Sequence, residues 1–320
     1  MSPVRAAAWA ALLAHAALAA GGDIVAAVRA ASDARNFALA EREIQSYRSA
    51  VGVTPEMLEA LSWLSRGAFD TRQYDRADRY ADETRRLSLE MLKRGGLPPG
   101  ALDIPLGASI EVHAQVLAAR GERSQAVAFL QTELASWHAA SIAPRIQKNL
   151  NLLSLEGRPA PALDAAHWLG PQPPSLAALK GHPVLLFFWA HWCGDCKAEA
   201  PILARIVREF RPQGLVLLAP TRLYGYTASE DAAPAAETKY IDQVRNQYYG
   251  ALGNLPVPIS SRNFQKYGCS TTPTLVLLDS AGIVRLYHPG AMTYDSLVSK
   301  VRAIVSGSLG TTVGRLPKRG

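Results

Sequence analysis

Two cysteines separated by two residues, Cys193 and Cys196, are the residues whose types and spacing most directly suggest chemistry. They lie in residues 184–201, which read VLLFFWAHWCGDCKAEAP. The apolar run before the cysteines predicts a strand buried on both faces of a sheet, and the segment after them predicts a helix. Cys193 would then lie at the helix N-terminus, where unpaired N–H groups and the helix dipole stabilise a thiolate. This arrangement predicts a redox-active dithiol in which Cys193 attacks a disulfide and Cys196 resolves the mixed disulfide.

The stretch around the cysteines resembles the active site of the thioredoxin superfamily, in particular that of the extracytoplasmic TlpA/ResA-type thiol–disulfide oxidoreductases. Residues 271–274, TTPT, precede a second apolar run and resemble the family's cis-proline loop, while residues 197–201 resemble its segment after the second cysteine. The resemblance covers residues 156–307, about half of the chain. It implies an α/β thioredoxin-like fold with a central mixed sheet flanked by helices, in which Cys193 is exposed and Cys196 more buried.

The resemblance also implies roles for residues near the two sulfurs. Trp192 would cover one side of the sulfurs, and Gly194 and Asp195 form the dipeptide between the cysteines. Pro273, in the cis form, would present its loop to the active site. The backbone of Thr272 would then pair with an extended segment of the substrate.

The residues that transfer protons and set the charge near the sulfurs do not follow directly from the motif. Thioredoxin's buried acid would align with Phe187, so that its role is unfilled here or is taken by another residue. Glu199 is the nearest candidate for proton transfer, but at three positions after Cys196 it is expected to face solvent. Asp195 would disfavour the thiolate and a protonated His191 would favour it, and the sequence leaves the balance open.

The remaining cysteine chemistry is limited, because the chain has three cysteines and therefore no structural disulfide framework. Cys269 aligns with an apolar core position of the family and is expected to be a buried, inert thiol, with a resolving or regulatory role as the alternative. A zinc site is a weak possibility, since Cys193, Cys196 and His191 supply at most three ligands and structural zinc takes four. We therefore expect no metal, and no cofactor other than the redox-active Cys193–Cys196 disulfide.

The N-terminus resembles a targeting segment. Residues 1–20 combine one early arginine with an alanine- and leucine-rich run that ends in a small-x-small pattern, which predicts a secretory signal peptide or an N-terminal anchor. An alanine-rich first helix is the alternative. The run is short for a membrane span, so we expect none beyond a possible uncleaved anchor. The predicted location is the periplasm or another extracytoplasmic compartment.

Residues 21–155 form a predicted helical domain that resembles tetratricopeptide repeats. Residues 63–81 and 112–130 share a pattern in which a small residue, Ala77 or Ala126, precedes an aromatic residue by three positions. Ala126 follows Ala77 by 49 positions, whereas a regular repeat has about 34. An irregular helical bundle is therefore the alternative. If the repeat is present, its concave face could bind a protein partner.

The second half of the chain departs from the compact thioredoxin pattern at an insertion, residues 221–258. A polar loop at 227–238 and a helix at 239–252 are predicted there, with tyrosines that could form a substrate-binding lip. At helical spacing, Tyr240, Val244 and Tyr248 are instead expected to pack against the sheet. Residues 308–320 are predicted to be a disordered tail.

The net charge of +7 is spread along the chain, without a basic stripe interleaved with aromatic residues, so nucleic-acid binding is not expected. The leading interpretation is an exported disulfide reductase with protein thiols or disulfides as substrates and an upstream electron donor of unknown identity. A thiol peroxidase is a second possibility, although the residues before Cys193 lack the pattern of a peroxidatic site. A helical-repeat scaffold with a redox-tethering domain is a third.

Overall fold

The computed structural model describes residues 24–228 and 230–310, which divide into two compact units. One unit ends at Ile146 and the other begins at Gln147, close to the predicted boundary between residues 155 and 156. The predicted signal segment lies outside the described residues, as do residues 311–320 of the predicted tail.

The first unit is helical, as predicted. Its helices are α1 (Ile24–Asp33), α2 (Phe37–Ala50), α3 (Pro55–Asp70), α4 (Tyr74–Arg94), α5 (Asp103–Ala119), α6 (Arg123–Trp137) and the start of α7 (Ala143–Ser154).

Local signals explain where these helices begin. The hydroxyl of Thr54 accepts a hydrogen bond from the N–H of Met57 at 3.2 Å. Pro55 occupies the first turn of α3, where backbone N–H groups have no acceptor within the helix, so the lack of an N–H in proline costs nothing.

Ala77 and Ala126 are fully buried, as expected of small residues at close helix contacts. A tetratricopeptide-like repeat remains a prediction.

The second unit contains the end of α7 and a series of strands and helices. Its elements are β1 (Trp168–Leu169), β2 (Val184–Phe188), α8 (Gly194–Phe210), β3 (Val216–Leu218), β4 (Tyr226–Thr227), β5 (Glu230–Asp231), α9 (Pro234–Tyr249), β6 (Val257–Pro258), α10 (Ser261–Lys266), β7 (Thr274–Leu278), β8 (Val284–Pro289) and α11 (Tyr294–Gly310).

The central sheet is mixed and has the order β3-β2-β7-β8. β2 is parallel to β3 and antiparallel to β7, which in turn pairs antiparallel with β8. Every residue of β2 is buried, because alternate side chains enter two different apolar cores. Leu185 and Phe187 belong to the core that contains the cysteines, whereas Leu186 and Phe188 belong to the core on the other face. The buried strand predicted before the cysteines is confirmed.

Most of α7 belongs to the second unit and lies close to the segment that leads to the cis-proline loop. Gly268 has φ +60°, and a Cβ atom at this position would lie 2.4 Å from the backbone nitrogen of Lys148. Nearby, the side-chain amide of Asn151 donates to the carbonyl of Lys266 at 3.4 Å. Glycine is therefore required at position 268 both by its backbone conformation and by the close approach of α7.

The insertion differs in detail from the prediction. Helix α9 begins at Pro234 rather than at residue 239, because a proline followed by alanines favours a helix start. The antiparallel pair β4–β5 lies within the segment predicted to be a loop. Tyr248 is 41% exposed and does not pack against the sheet; its neighbour Tyr249 is 1% exposed and packs edge-on against Phe187 and Trp189. The expectation that Tyr248 packs against the sheet is therefore wrong, and the next residue, Tyr249, is the buried one.

At the C-terminus, α11 extends three residues into the segment predicted to be a disordered tail. Within residues 24–228 and 230–310, no helix combines the length and the apolar character needed to cross a bilayer.

The double-sided burial of β2 generates a stability prediction. Leu185→Ala should lower the free energy of unfolding of the second unit by about 2–5 kcal/mol, because it removes apolar contacts and leaves a cavity in a fully buried strand. Native-state hydrogen exchange of the β2 and β7 amides measures this effect in the second unit alone. Leu152→Ala, at an exposed position of α7, is the matched control and should change it by less than about 0.5 kcal/mol. Equal effects of the two substitutions would contradict the assigned core.

Candidate active site

The cysteines form a disulfide at the N-terminus of α8. Their Cα atoms are 5.3 Å apart, and Cys193 is the residue that caps the helix. The backbone N–H of Cys196 donates to Sγ of Cys193 at 3.0 Å, so the sulfur satisfies one of the N–H groups that a first helical turn leaves unpaired. After reduction, the same N–H and the helix dipole would stabilise a thiolate on Cys193.

The burial of Cys193 differs from the expectation. The residue is 4% exposed rather than open to solvent, and Cys196 is fully buried. Both belong to the apolar core that also contains Phe187, which accounts for the low exposure of the disulfide. The exposed residues here are instead the neighbours Trp192, Gly194 and Asp195.

The active-site loop before the cysteines is held by its tryptophans. The indole N–H of Trp189 donates to the carbonyl of Ala219 at 2.9 Å, and the hydroxyl of Thr221 donates to the carbonyl of Trp189 at 2.8 Å. Trp192 is 48% exposed, and its ring contacts the edge of the Tyr224 ring with centroids 5.5 Å apart. Its predicted role as a cover for the sulfurs remains a prediction.

The loop before β7 has the conformation that the resemblance implies, since the Thr272–Pro273 peptide bond is cis. Pro273 is buried and Thr272 is partly buried. The hydroxyl of Thr272 is buried without a hydrogen-bond partner within the described residues. Next to it, the hydroxyl of Thr274 donates to the carbonyl of Thr271 at 2.7 Å and supports the turn.

Glu199 lies one turn after Cys196 and is 1% exposed, so the expectation that it faces solvent is wrong. Its carboxyl oxygens accept hydrogen bonds from the backbone N–H of Met292 at 3.1 and 3.2 Å. Burial raises the pKa of Glu199 to about 7, with a smaller contribution from Asp195, while the N–H of Met292 opposes the shift. A carboxyl group with this pKa can both take up and release a proton near neutral pH.

A buried pair of residues that the sequence did not predict connects the insertion to the active-site loop. His191 and Glu237 are both buried, with Nε2 of His191 3.2 Å from a carboxyl oxygen of Glu237. Glu237 also accepts the backbone N–H groups of Tyr224 at 2.6 Å and Gly225 at 2.8 Å. Burial lowers the pKa of His191, and the hydrogen bond with Glu237 opposes this shift. Burial therefore acts against the protonated His191 that would favour a thiolate.

Cys269 is a buried free thiol, as expected. Burial raises its pKa well above the ordinary value, and a hydrogen bond with Thr274 opposes the shift. A thiol in this environment is a weak nucleophile.

A group of residues with metal-ligand spacing lies in the first unit, away from the cysteines in the chain. It consists of Asp78, Asp82 and His113. Asp78 lies 2.7 Å from Nδ1 of His113 and accepts a hydrogen bond from Arg120 at 3.2 Å, so an arginine already supplies positive charge there.

Comparisons with known proteins agree with the arrangement of strand, disulfide, helix and cis-proline loop. A family model described as a thioredoxin-like domain matches residues 174–304. The thiol:disulfide interchange protein DsbE of Xylella fastidiosa (strain 9a5c) is 28% identical over 159 residues, which are 48% of this chain and 71% of that protein. The thiol-disulfide oxidoreductase ResA of Bacillus subtilis (strain 168) is 28% identical over 134 residues, or 41% of this chain and 66% of ResA.

Among solved structures, a putative DsbE from Chlorobium tepidum is 24% identical and matches 47% of this chain and 97% of its own length, with a TM-score of 0.37. The family match and the sequence relatives therefore show that the C-terminal half of this chain is a thioredoxin-like domain, homologous to the DsbE and ResA thiol–disulfide oxidoreductases.

Proposed function

We propose that this protein reduces disulfides in exported proteins through the Cys193–Cys196 dithiol. The observation that carries the proposal is the disulfide at the start of α8, in which the N–H of Cys196 bonds to the sulfur of Cys193. The segment at residues 271–274 supports it, because the resemblance makes this loop the place where an extended substrate segment pairs with the protein. Export is proposed from the signal-like residues 1–20.

The reaction proceeds by two thiol–disulfide exchanges. The thiolate of Cys193 attacks one sulfur of the substrate disulfide, which forms a mixed disulfide and releases the other substrate sulfur as a thiolate. Cys196 then loses its proton and attacks Sγ of Cys193, which releases the second substrate thiolate and forms the Cys193–Cys196 disulfide. Two electrons pass from the dithiol to the substrate, and a separate thiol-containing electron donor restores the dithiol.

Glu199 is the proposed proton acceptor for the second exchange. It lies one helical turn after Cys196, on the same face of α8, and both side chains are buried. A buried thiol needs a base before it can attack, because burial disfavours the thiolate. With a pKa of about 7, Glu199 is partly deprotonated at neutral pH and can accept that proton.

The first prediction concerns the attacking sulfur. Cys193→Ser should abolish the reduction of insulin disulfides, because serine cannot form the mixed disulfide. Cys269→Ser removes a buried thiol that the proposed mechanism does not use and should retain the activity. A Cys193→Ser variant with undiminished turnover would overturn the assignment of this sulfur.

The second prediction concerns the direction of electron flow. Equilibration with dithiothreitol or glutathione, followed by trapping of free thiols, should give a reduction potential close to the roughly −270 mV of thioredoxin. A value near the roughly −120 mV of strong periplasmic oxidants would make the protein a disulfide donor instead. If the pair forms no reversible disulfide, the scaffold interpretation is favoured, and partner binding should then survive the double replacement Cys193→Ser and Cys196→Ser.

The third prediction concerns Glu199. In the wild-type protein, the rate of the second exchange should rise as the pH increases through about 7, because the deprotonated carboxylate is the base. In Glu199→Gln this rise should disappear and the rate above pH 7 should fall about 100-fold, as measured by rapid-quench trapping of the mixed disulfide. Glu230→Gln, at an exposed position, is the control and should retain the wild-type profile.

A thermodynamic measurement tests the same group independently of activity. The pKa of Glu199 is higher in the native state than its ordinary value of 4.5, so the native state binds more protons than the unfolded state between about pH 4.5 and 7. The contribution of Glu199 to the free energy of unfolding is therefore present below this window and is lost as the pH rises through it. Glu199→Gln should lack this dependence, and an unchanged dependence would contradict the raised pKa.

A further inference from the structure

Arg222, on the loop after β3, carries a positive charge close to the aromatic residues beside the cysteines. Its guanidinium carbon lies 4.4 Å from the centroid of the Tyr224 ring and 5.6 Å from that of Phe264. The Tyr224 ring in turn lies 5.5 Å from the ring of Trp192, the residue before Cys193. The guanidinium is therefore within about 10 Å of Trp192, which is the length of roughly three residues of extended chain.

Among the residues that the structure describes, Arg222 has no acidic partner for its charge. Across residues 24–228 and 230–310, no carboxyl oxygen lies within ion-pairing distance of its guanidinium. Its Nε is buried and has no hydrogen-bond partner there, and its contacts are with aromatic rings and the Tyr224 side chain. A guanidinium has five N–H donors and no acceptor, so a carboxylate is the group that would best balance its charge.

Hydrogen bonds hold the loop that carries Arg222 on both sides of this residue, so the backbone position of Arg222 is fixed. On one side, the hydroxyl of Thr221 donates to the carbonyl of Trp189 at 2.8 Å. On the other, the N–H of Tyr224 donates to the buried Glu237 at 2.6 Å. The oxygens of Glu237 are engaged by backbone N–H groups and His191, which leaves Arg222 without that group as a partner.

We propose, on the basis of the proposed function, that Arg222 binds a carboxylate of the substrate and selects disulfides with an acidic residue a few positions from the attacked cysteine. The substrate segment would lie across the exposed ring of Trp192, with its acidic side chain on the guanidinium. Planar guanidinium groups bind carboxylates through two parallel hydrogen bonds, which a lysine cannot reproduce.

Two other charged residues lie beside the cysteines in the sequence. Lys197 directly follows Cys196 and lies 4.8 Å from the Tyr248 ring, and it adds positive charge. Asp195 is exposed and would repel an acidic segment, but water and salt screen an exposed charge more than a partly buried one. Arg222 is partly buried, so its attraction should dominate.

The test uses three cyclic peptides of equal length, each with one disulfide and with Glu, Gln or Lys three residues from one cysteine. Hydroxyethyl disulfide, which has no charge and no peptide segment, reports on the dithiol alone. With the reduced full-length protein, kcat/KM for the Glu peptide should be about tenfold higher than for the Gln peptide. The ratio of the Glu peptide to the Lys peptide should be larger still. The difference should lie mainly in KM and should shrink between about 0.05 and 0.5 M salt.

Arg222→Gln should remove the preference and leave the rate with hydroxyethyl disulfide unchanged, which also shows that the variant is folded. Arg222→Lys should keep part of the preference, because it retains the charge without the paired hydrogen bonds. Arg262→Gln, which removes an exposed arginine at the start of α10, is the control and should keep the full preference for the Glu peptide.

The outcomes separate this inference from the proposed function. If the wild-type protein reduces none of the four disulfides, the proposed function fails. If it reduces hydroxyethyl disulfide but treats the three peptides equally, or if Arg222→Gln keeps the preference for Glu, the role of Arg222 is overturned while the reductase assignment stands.

Discussion

The hydrogen bond from the Cys196 N–H to the sulfur of Cys193 is the interaction on which the rest of the active site depends. It exists because a strand in the middle of the sheet ends at Phe188 and a helix begins six residues later, at Gly194. Cys196, in the first turn of that helix, is fully buried, so its N–H needs an acceptor that water cannot provide there. A sulfur atom at the capping position supplies one, and the same contact prepares it to carry negative charge.

The insertion contributes to the site through one buried acid. Glu237 accepts hydrogen bonds from two consecutive backbone N–H groups of the loop after β3, and it also contacts His191 on the active-site loop. Burying a carboxyl group costs free energy unless both of its oxygens have hydrogen-bond partners. Both oxygens of Glu237 have such partners. The insertion is therefore part of the structure that positions Trp192, Tyr224 and Arg222.

Sequence reasoning identified the parts of this site that depend on local pattern. The apolar strand, the Cys193–Cys196 pair and the Thr272–Pro273 loop each lie within a few consecutive residues, and the family resemblance rests on them. Reasoning failed where a residue's environment comes from distant segments. Glu199 is buried because the loop containing Met292, 93 residues later, covers it. Glu237 fell within the predicted polar loop 227–238, and its role was missed because its partners lie 12 to 46 residues earlier in the chain.

The close approach of α7 to Gly268 affects how the thioredoxin-like domain can be separated from the rest of the chain. A fragment that begins at residue 156, where the family resemblance starts, would lose the backbone of Lys148 that lies against Gly268 and the amide of Asn151 that bonds to Lys266. Both contacts support the segment that leads into the cis-proline loop. We therefore expect a fragment that keeps these contacts to begin at about Gln147, so that the last turns of α7 remain packed against the cis-proline segment.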